Sequence, residues 1–353
     1  MKKFNKVCYL LSLWTTSRWL LRTKIYDDRL IVITGACGFI GSCVVKHLNE
    51  QGEYNLLLVD DLRSGDKWKN LVGKKYADLI SKQELFTWLE GRESEIEAFI
   101  HLGACPSTVV TDGDYIQKNN YSYSVRLAEY ALQNNHRFIY ASSAATYGMR
   151  DVDFSDDHNR LEELRPLNLY GYAKHMVDLW LKDQGALDQV VGLKYFNVFG
   201  PNEYHKKRMA SMVMHMTRSI LEEGFVRLFK SSSDKYPDGE QKRDFIYVKD
   251  AVAITCSFLD NDVAGIFNVG SGVATTWNDL ARAVFKALGK KEHIEYFEMP
   301  EDLKGHYLNY TCADMSKYHH SLEKKNIEKP QTHTVEQGVF DYVNHYLIGN
   351  HRW

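Results

Sequence analysis

A tyrosine and a lysine four residues apart, Tyr170 and Lys174, are the strongest candidates for catalytic chemistry in this sequence. Residues at this spacing share one face of a helix, so the Lys174 ammonium can lie near the Tyr170 phenol and near a ribose. A phenol has a pKa of about 10, and a neighbouring cation favours its ionised form, which would make Tyr170 a usable acid or base. Ser143 lies at the end of the apolar run that begins at Arg137, where the segment SSAATYG starts. Its hydroxyl could hydrogen-bond the reacting oxygen.

A glycine-rich segment earlier in the chain gives this pair its context. The segment ITGACGFIG places Gly35, Gly38 and Gly41 between an apolar run and a helix-compatible stretch. Glycines in that position allow a tight turn and a close approach of the backbone to a pyrophosphate, whose charge then lies at the helix N-terminus. The sequence therefore predicts a dinucleotide site.

The residues after the second apolar run bear on which dinucleotide is bound. Asp60 ends that run, where an acidic residue commonly binds the adenosine ribose hydroxyls and so favours NAD. Arg63 and Lys67 follow, and cations there could instead hold a ribose phosphate. We expect NADP because of them, with NAD as the alternative.

The elements that must position these groups follow a β-α-β pattern. Apolar runs begin at Leu30 and Asn55 on either side of a helix-compatible stretch, and further runs begin at Ala98, Arg137 and Val190. Continuous rather than alternating apolar runs are typical of strands that are buried on both faces of a parallel sheet. We therefore predict an α/β fold, a Rossmann-type doubly wound parallel sheet with a smaller C-terminal substrate-binding lobe.

The chain divides into three parts on this interpretation. Residues 1–28 form an N-terminal extension whose start imitates a signal peptide, although Arg18 interrupts the stretch that follows and no cleavage site appears. Residues 29–198 form the NAD(P)-binding domain. Residues 199–353 form the substrate-binding lobe, and the run GIFNVGSG from Gly265 looks like another strand of the main sheet, so we expect the two lobes to interleave.

Composition excludes several other classes of protein. The 353 residues are 44% hydrophobic and 25% charged, with a formal net charge of -2, which lacks the basic excess of a nucleic-acid binder. The six cysteines form no Cys-x-x-Cys pair, so neither a disulfide framework nor a metal site is indicated. No segment is apolar enough to span a membrane. We expect a cytoplasmic homo-oligomer.

Three segments together carry a resemblance to a known family. ITGACGFIGS, SSAATYG and Tyr170-x-x-x-Lys174 resemble the extended short-chain dehydrogenase/reductase family. Within it, the ordered series VDDLRSGDKW, HLGACPST, YFNVFGPNEYHKKRMAS and KRDFIYVKD is similar to the epimerases that act on ADP-heptose. The resemblance implies epimerisation of an ADP-sugar at carbon six of the heptose, through transient oxidation, for lipopolysaccharide core synthesis.

The resemblance also implies roles for individual residues, of which Tyr170 and Lys206 would be the acid/base pair. Implied cofactor contacts fall on Phe39, Ile40, Asp60, Asp61, Lys67, Lys82, Leu102, Gly103, Ala104, Cys105, Pro106, Asn119, Lys174, Val198 and Lys206. Substrate contacts, with Ser143, fall on Asn197, Arg208, His215, Phe229, Lys230, Ser231, Ser232, Arg243 and Tyr307. Four of these positions depart from the family's pattern: Leu102, Asp61, Arg208 and Lys230. These departures affect the expected geometry of substrate binding more than the expected reaction.

Two other functions remain open at this stage. The first is another extended reductase, either a UDP-hexose 4-epimerase or a 4,6-dehydratase. A dehydratase needs an extra acid/base pair to eliminate water, and the residues after Ser143 offer no carboxylate. The second is a regulator that binds NAD(P) without catalysis, although a sensor would not need Tyr170 and Lys174.

Overall fold

The computed structural model describes residues 29–304 and 307–353, so the predicted extension 1–28 lies outside the described residues. The strands are β1 (Leu30–Thr34), β2 (Leu56–Val59), β3 (Asp78–Ile80), β4 (Ile96–His101), β5 (Arg137–Ser143), β6 (Val190–Tyr195), β7 (Asn197–Phe199), β8 (Val226–Phe229), β9 (Lys242–Tyr247), β10 (Gly265–Val269), β11 (Ala274–Thr276) and β12 (Ile294–Phe297).

The α-helices are α1 (Phe39–Glu50), α2 (Leu85–Trp88), α3 (Gly113–Ile116), α4 (Tyr123–Gln133), α5 (Leu169–Asp183), α6 (Met212–Glu222), α7 (Val248–Cys256), α8 (Trp277–Ala287), α9 (Glu301–Lys304), α10 (Ser316–Lys324) and α11 (Val335–Tyr342). A π-helical turn, Gln117–Ser122, joins α3 to α4. Among the described residues, no helix is both long and apolar enough to cross a membrane.

The central sheet confirms the predicted fold class. Its seven strands run in the order β10-β6-β5-β4-β1-β2-β3, and all of their pairings are parallel. The chain moves outward from β1 in one direction and then returns to β4 on the other side of β1. At such a switch point the loops after the two strands separate, and the crevice between them is where ligands bind in this class of fold.

Both faces of the sheet are buried, as continuous apolar runs predict. On β1, Ile31 and Ile33 pack into one core, which also holds residues of α1 and α7. Val32 points to the opposite face and packs into a second core with residues of α4 and α5. The sheet is therefore a rigid platform, and its carboxyl edge can hold side chains in fixed positions.

The second half of the chain contributes to two further sheets and to the central one. β7 and β11 flank β9, and β8 pairs with β12. β10 lies beside β6 in the central sheet, with Gly265 opposite Val191, which confirms the strand predicted from GIFNVGSG. The predicted end of the NAD(P)-binding domain, residue 198, lies inside β7, and β7 pairs with β9 of the predicted substrate-binding lobe. The two predicted parts are therefore interleaved at this point, and the boundary between domains stays a prediction.

Candidate active site

The glycine-rich turn between β1 and α1 leaves no room for a side chain at Gly35 or Gly41. Gly35 has a φ of 70°, and a Cβ atom on it would lie 2.8 Å from the backbone nitrogen of Gly103. A Cβ on Gly41 would lie 2.2 Å from the carbonyl oxygen of Gly35. The backbone there is free to approach a ligand closely, at the N-terminus of α1, so the turn fits the pyrophosphate of a dinucleotide.

Asp60 lies at the end of β2, beside this turn. Its carboxylate accepts a hydrogen bond from the Cys37 backbone at 2.9 Å and pairs with the Lys67 ammonium at 2.6 Å. Arg63 instead donates to the Tyr115 hydroxyl at 3.3 Å and is exposed. Of the two cations that favoured NADP, only Lys67 therefore contacts the acidic residue of the site.

The loop after β4, which holds the predicted cofactor contacts 102–106, is fixed by a residue that the sequence analysis missed. The buried Asn120 side chain accepts a hydrogen bond from the Cys105 nitrogen at 2.8 Å and donates one to its carbonyl oxygen at 2.9 Å. Asn119 donates to Asn120 at 2.8 Å, and Lys82 contacts Asn119. Asn120 lies in the π-helical turn, a feature often found at functional sites, but no sequence pattern marked it.

Tyr170 and Ser143 meet because α5 begins directly beside the end of β5. Asn168 caps this helix by accepting a hydrogen bond from Gly171 at 2.9 Å. A Cβ on Gly171 would lie 2.7 Å from the carbonyl oxygen of Ala145, so the glycine allows the close approach. Tyr170 is half-buried, and the Ser143 side chain lies close enough to influence its pKa; the role of Ser143 at a reacting oxygen stays a prediction.

The pKa of Tyr170 does not shift in the direction that its spacing from Lys174 predicted. Burial raises the pKa of Tyr170, and its hydrogen bond with Ser143 opposes that rise. The Lys174 ammonium donates to the Ala141 carbonyl oxygen at 2.5 Å, and burial lowers the pKa of Lys174 to about 8. Lys174 is not among the groups that shift the pKa of Tyr170, so the expected lowering of that pKa by the neighbouring ammonium is not seen, and burial sets the direction instead.

A buried ion pair supports the end of β5. Asp178 accepts hydrogen bonds from the Tyr140 and Ser142 hydroxyls, both at 2.8 Å, and from the Lys194 ammonium at 2.6 Å. Lys194 also donates to the Thr146 hydroxyl at 2.7 Å, and both charged side chains are fully buried. The sequence analysis missed this network, although Asp178 follows Lys174 by four residues on α5, a spacing that places both on one helix face.

Replacing Lys194 with Met should lower the free energy of unfolding by about 3–5 kcal/mol, because it leaves the Asp178 carboxylate buried without its ion-pair partner. Urea denaturation measures this change. Lys325→Met provides the control, because the Lys325–Asp262 pair is largely exposed and its loss should matter far less. Equal effects of the two substitutions would contradict the role given to the buried pair.

Lys206 lies beside the glycine-rich turn, although it is distant from that turn in sequence. Its ammonium is 4.9 Å from the ring centroid of Phe39, the first residue of α1. Burial lowers the pKa of Lys206, and the Glu203 carboxylate opposes this shift. The buried Asn70 side chain holds this region together by donating to the Cys37 carbonyl at 3.1 Å and to the Asn202 carbonyl at 3.0 Å.

Four of the predicted substrate contacts form one cluster. The buried Arg243 guanidinium is 5.1 Å from the Tyr307 ring centroid, and that centroid is 6.3 Å from the Phe229 ring. Asn197 on the adjacent β7 donates to the Asp244 carbonyl at 2.9 Å. The structure therefore brings together an arginine, two aromatic rings and an amide from four separate segments of the second half of the chain.

Other predicted contacts occupy more open positions. Lys230 pairs with the exposed Glu298 at 2.7 Å. The Ser231 nitrogen donates to the Asp238 carboxylate at 2.7 Å, and the Ser231 hydroxyl donates to the Ser233 carbonyl oxygen at 3.0 Å. The remaining predicted contacts are exposed or half-buried, and their roles stay predictions: Ile40, Asp61, Val198, Arg208, His215 and Ser232.

Comparisons with known proteins identify the family of this chain. Residues 31–270 match the NAD dependent epimerase/dehydratase family. The ADP-L-glycero-D-manno-heptose-6-epimerase of Nitratidesulfovibrio vulgaris is 44% identical over 90% of this chain and 98% of its own, and that of Fusobacterium nucleatum is 46% identical with the same coverage. The crystal structure of the Helicobacter pylori enzyme of that name covers 91% of this chain and 98% of its own, with a TM-score of 0.75 and 27% identity. The chain therefore belongs to the NAD dependent epimerase/dehydratase family.

Proposed function

We propose that this protein epimerises ADP-D-glycero-D-manno-heptose to ADP-L-glycero-D-manno-heptose at carbon six, in the synthesis of lipopolysaccharide core precursors. The observation that carries the proposal is the placement of two titratable side chains at the carboxyl edge of the central sheet, Tyr170 beside the end of β5 and Lys206 beside the start of α1. The names of the relatives that are 44% and 46% identical support the choice of an ADP-heptose.

The side chains divide the chemistry between them. When bound, the nicotinamide accepts a hydride from the substrate carbon and later returns it. Tyr170 takes the proton from the hydroxyl on that carbon, and Ser143 donates a hydrogen bond to the oxygen as its charge changes. After the ketone has turned, Lys206 gives a proton to its oxygen from the opposite face as the hydride returns, and proton exchange with solvent then restores Tyr170 and Lys206 to their starting states. A base on each face explains why the site contains both residues.

The proposed cofactor is NADP, with the ribose phosphate near Lys67. The ion pair of Lys67 with Asp60, at 2.6 Å, offsets the negative charge that would otherwise repel a phosphate there. A redox-neutral cycle gains nothing by releasing its cofactor, so we expect purified protein to carry it.

Denaturing the protein and weighing the released nucleotide by mass spectrometry should therefore yield NADP that was never added. Lys67→Ala should shift the recovered nucleotide toward NAD, because Asp60 is then free to bind ribose hydroxyls. Recovery of NAD alone from the unsubstituted protein would reject the preference for NADP.

The overall activity can be tested with a panel of ADP- and UDP-sugars. NMR should show inversion of carbon six in ADP-heptose and no change in UDP-galactose. Conversion of UDP-galactose but not of ADP-heptose would favour the alternative UDP-hexose 4-epimerase. The turn Ala144–Tyr147 after Ser143 contains no carboxylate, which argues against a dehydratase. A cytoplasmic location and assembly into a homo-oligomer stay predictions.

A further inference from the structure

Residues 351–353 lie beside the part of the chain that carries Lys206. The buried Asn202, which comes just before the Tyr204–Met209 turn, donates from its amide nitrogen to the Trp353 backbone oxygen at 2.9 Å. The Trp353 nitrogen donates to the Asn202 amide oxygen at 3.0 Å. An amide side chain that bonds both backbone groups of one residue fixes the direction of the chain there as well as its position.

Two further hydrogen bonds join residues 351–353 to this turn and to α1. The Tyr204 hydroxyl donates to the His351 backbone oxygen at 2.6 Å. The Trp353 indole nitrogen donates to the carboxylate of Glu50, the last residue of α1, at 3.2 Å. The indole also packs against the main core, so Trp353 is anchored by its side chain as well as by its backbone.

Asn70 connects residues 351–353 to the glycine-rich turn. Its amide oxygen accepts a hydrogen bond from the Arg352 guanidinium at 3.2 Å, and its amide nitrogen donates to the Cys37 carbonyl at 3.1 Å. The Lys74 ammonium donates to the Asn70 backbone oxygen at 2.6 Å and to the Trp353 backbone oxygen at 2.5 Å. The segment therefore belongs to the same hydrogen-bonded unit as the turn where the dinucleotide is expected to bind.

The part of the chain that carries Lys206 rests on one face of α1. The Asn202 amide nitrogen also donates to the Ser42 hydroxyl at 3.1 Å, while the Lys206 ammonium lies 4.9 Å from the Phe39 ring centroid. Ser42 follows Phe39 by three residues, so both lie on the same face of the helix. The contact at Asn202 therefore sets where Lys206 lies relative to the start of α1.

The Tyr204–Met209 turn is held less firmly after Lys206 than before it. Residues 207–209 are exposed, and Lys207 has a φ of 50° and a ψ of -116°, a conformation that residues other than glycine rarely adopt. Such a backbone persists only where surrounding contacts impose it. The Glu203 carboxylate accepts a hydrogen bond from the Ser211 hydroxyl at 2.6 Å, which ties the two ends of the turn to each other rather than to α1.

We infer that residues 351–353 position Lys206 for its proton transfer by holding the Tyr204–Met209 turn against α1, and that Trp353 is the positioning residue. The role of Lys206 in this inference rests on the proposed function. A base must stay within hydrogen-bond reach of the oxygen that it serves, and a displacement of about 1 Å can cost about a hundredfold in rate. Loss of the Trp353 contacts should therefore impair the step at Lys206 and leave Tyr170, on α5, in place.

Hydrogen–deuterium exchange and the two hydride half-reactions, measured on the whole chain with its bound cofactor, test this inference in Trp353→Ala. Amide exchange across residues 204–209 should rise. The half-reaction that Lys206→Met impairs should fall by about tenfold or more, and the one that depends on Tyr170 should stay within about twofold. Trp353→Phe keeps a ring in the same place and should restore most of the lost rate.

Trp88→Ala is the matched control, because it removes another half-buried indole, which packs against the second core on α2. It should lower the melting temperature without changing either half-reaction or exchange across residues 204–209. Should Trp353→Ala not fold, Tyr204→Phe removes only the hydroxyl that bonds His351 and should slow the Lys206 half-reaction by about fivefold.

Unchanged exchange across residues 204–209 in Trp353→Ala would overturn the inference. An equal fall of both half-reactions, as general destabilisation would produce, would also overturn it, as would a normal Lys206 half-reaction when Lys206→Met is impaired. Raised exchange in Trp353→Ala together with full activity in Lys206→Met would support residues 351–353 as the anchor of the turn and reject only the proposed role of Lys206.

Discussion

Replacing Tyr170 with Phe should lower the rate of epimerisation by about a hundredfold or more, the usual loss when a positioned acid or base is removed. The substitution deletes the hydroxyl near Ser143 and leaves the ring, which is half-buried at the start of α5. The fold and the bound cofactor should therefore remain. The measurement is the turnover number for ADP-heptose, with cofactor content measured in parallel.

Tyr172→Phe is the matched control for this experiment, because Tyr172 lies two residues away on the same helix and is 52% exposed. Its activity should be close to that of the unsubstituted protein. If Tyr170→Phe retained more than about a tenth of the activity, Tyr170 would not be the principal proton-transfer group.

Lys206→Met should also lower epimerisation by about a hundredfold or more, because the second face of the substrate would lose its base. A methionine keeps an unbranched side chain beside the Phe39 ring, which the Lys206 ammonium approaches at 4.9 Å, so the segment should keep its place. Turnover, cofactor content and melting temperature are measured on the same preparation. Lys207→Met is the control, because Lys207 is the next residue and is exposed.

Measuring the two half-reactions separately distinguishes a mechanism with two bases from a mechanism with a single base. If Tyr170 and Lys206 serve opposite faces, each variant should exchange hydride with one epimeric aldehyde analogue better than with the other. A one-base enzyme would lose both reactions with Tyr170→Phe and neither with Lys206→Met. Full epimerase activity in Lys206→Met, at unchanged stability and cofactor content, would leave Lys206 as an ordinary charge beside the site.

The features that the sequence determined by itself are those encoded in short windows. Continuous apolar runs predicted the parallel strands, and the spacing of Gly35, Gly38 and Gly41 predicted the turn before α1. The four-residue spacing of Tyr170 and Lys174 predicted that they share a face of α5. Periodicity and backbone freedom depend on neighbouring residues, so a local pattern is enough to reveal them.

The sequence predicted a doubly wound parallel sheet but not the order of its strands. Tertiary packing also decided the contacts between segments that are distant in the chain. Lys206 was linked to the site by family resemblance, but its place beside Phe39 depends on how the Tyr204–Met209 segment docks on α1. The buried pair of Asp178 and Lys194 likewise joins a helix to a strand. Nothing in the spacing of such residues specifies their distance in space.

Burial decided the rest, because the solvation of a side chain depends on everything that packs around it. The spacing of Tyr170 and Lys174 predicted a lowered pKa for the phenol, whereas its burial raises that pKa. Asn202 looks like an ordinary polar residue of a loop in the sequence, and only the fold shows that it is buried and bonds the Trp353 backbone. The sequence thus determined which chemical groups are present and on which elements, and the tertiary structure determined their environments, since those arise from residues far apart in the chain.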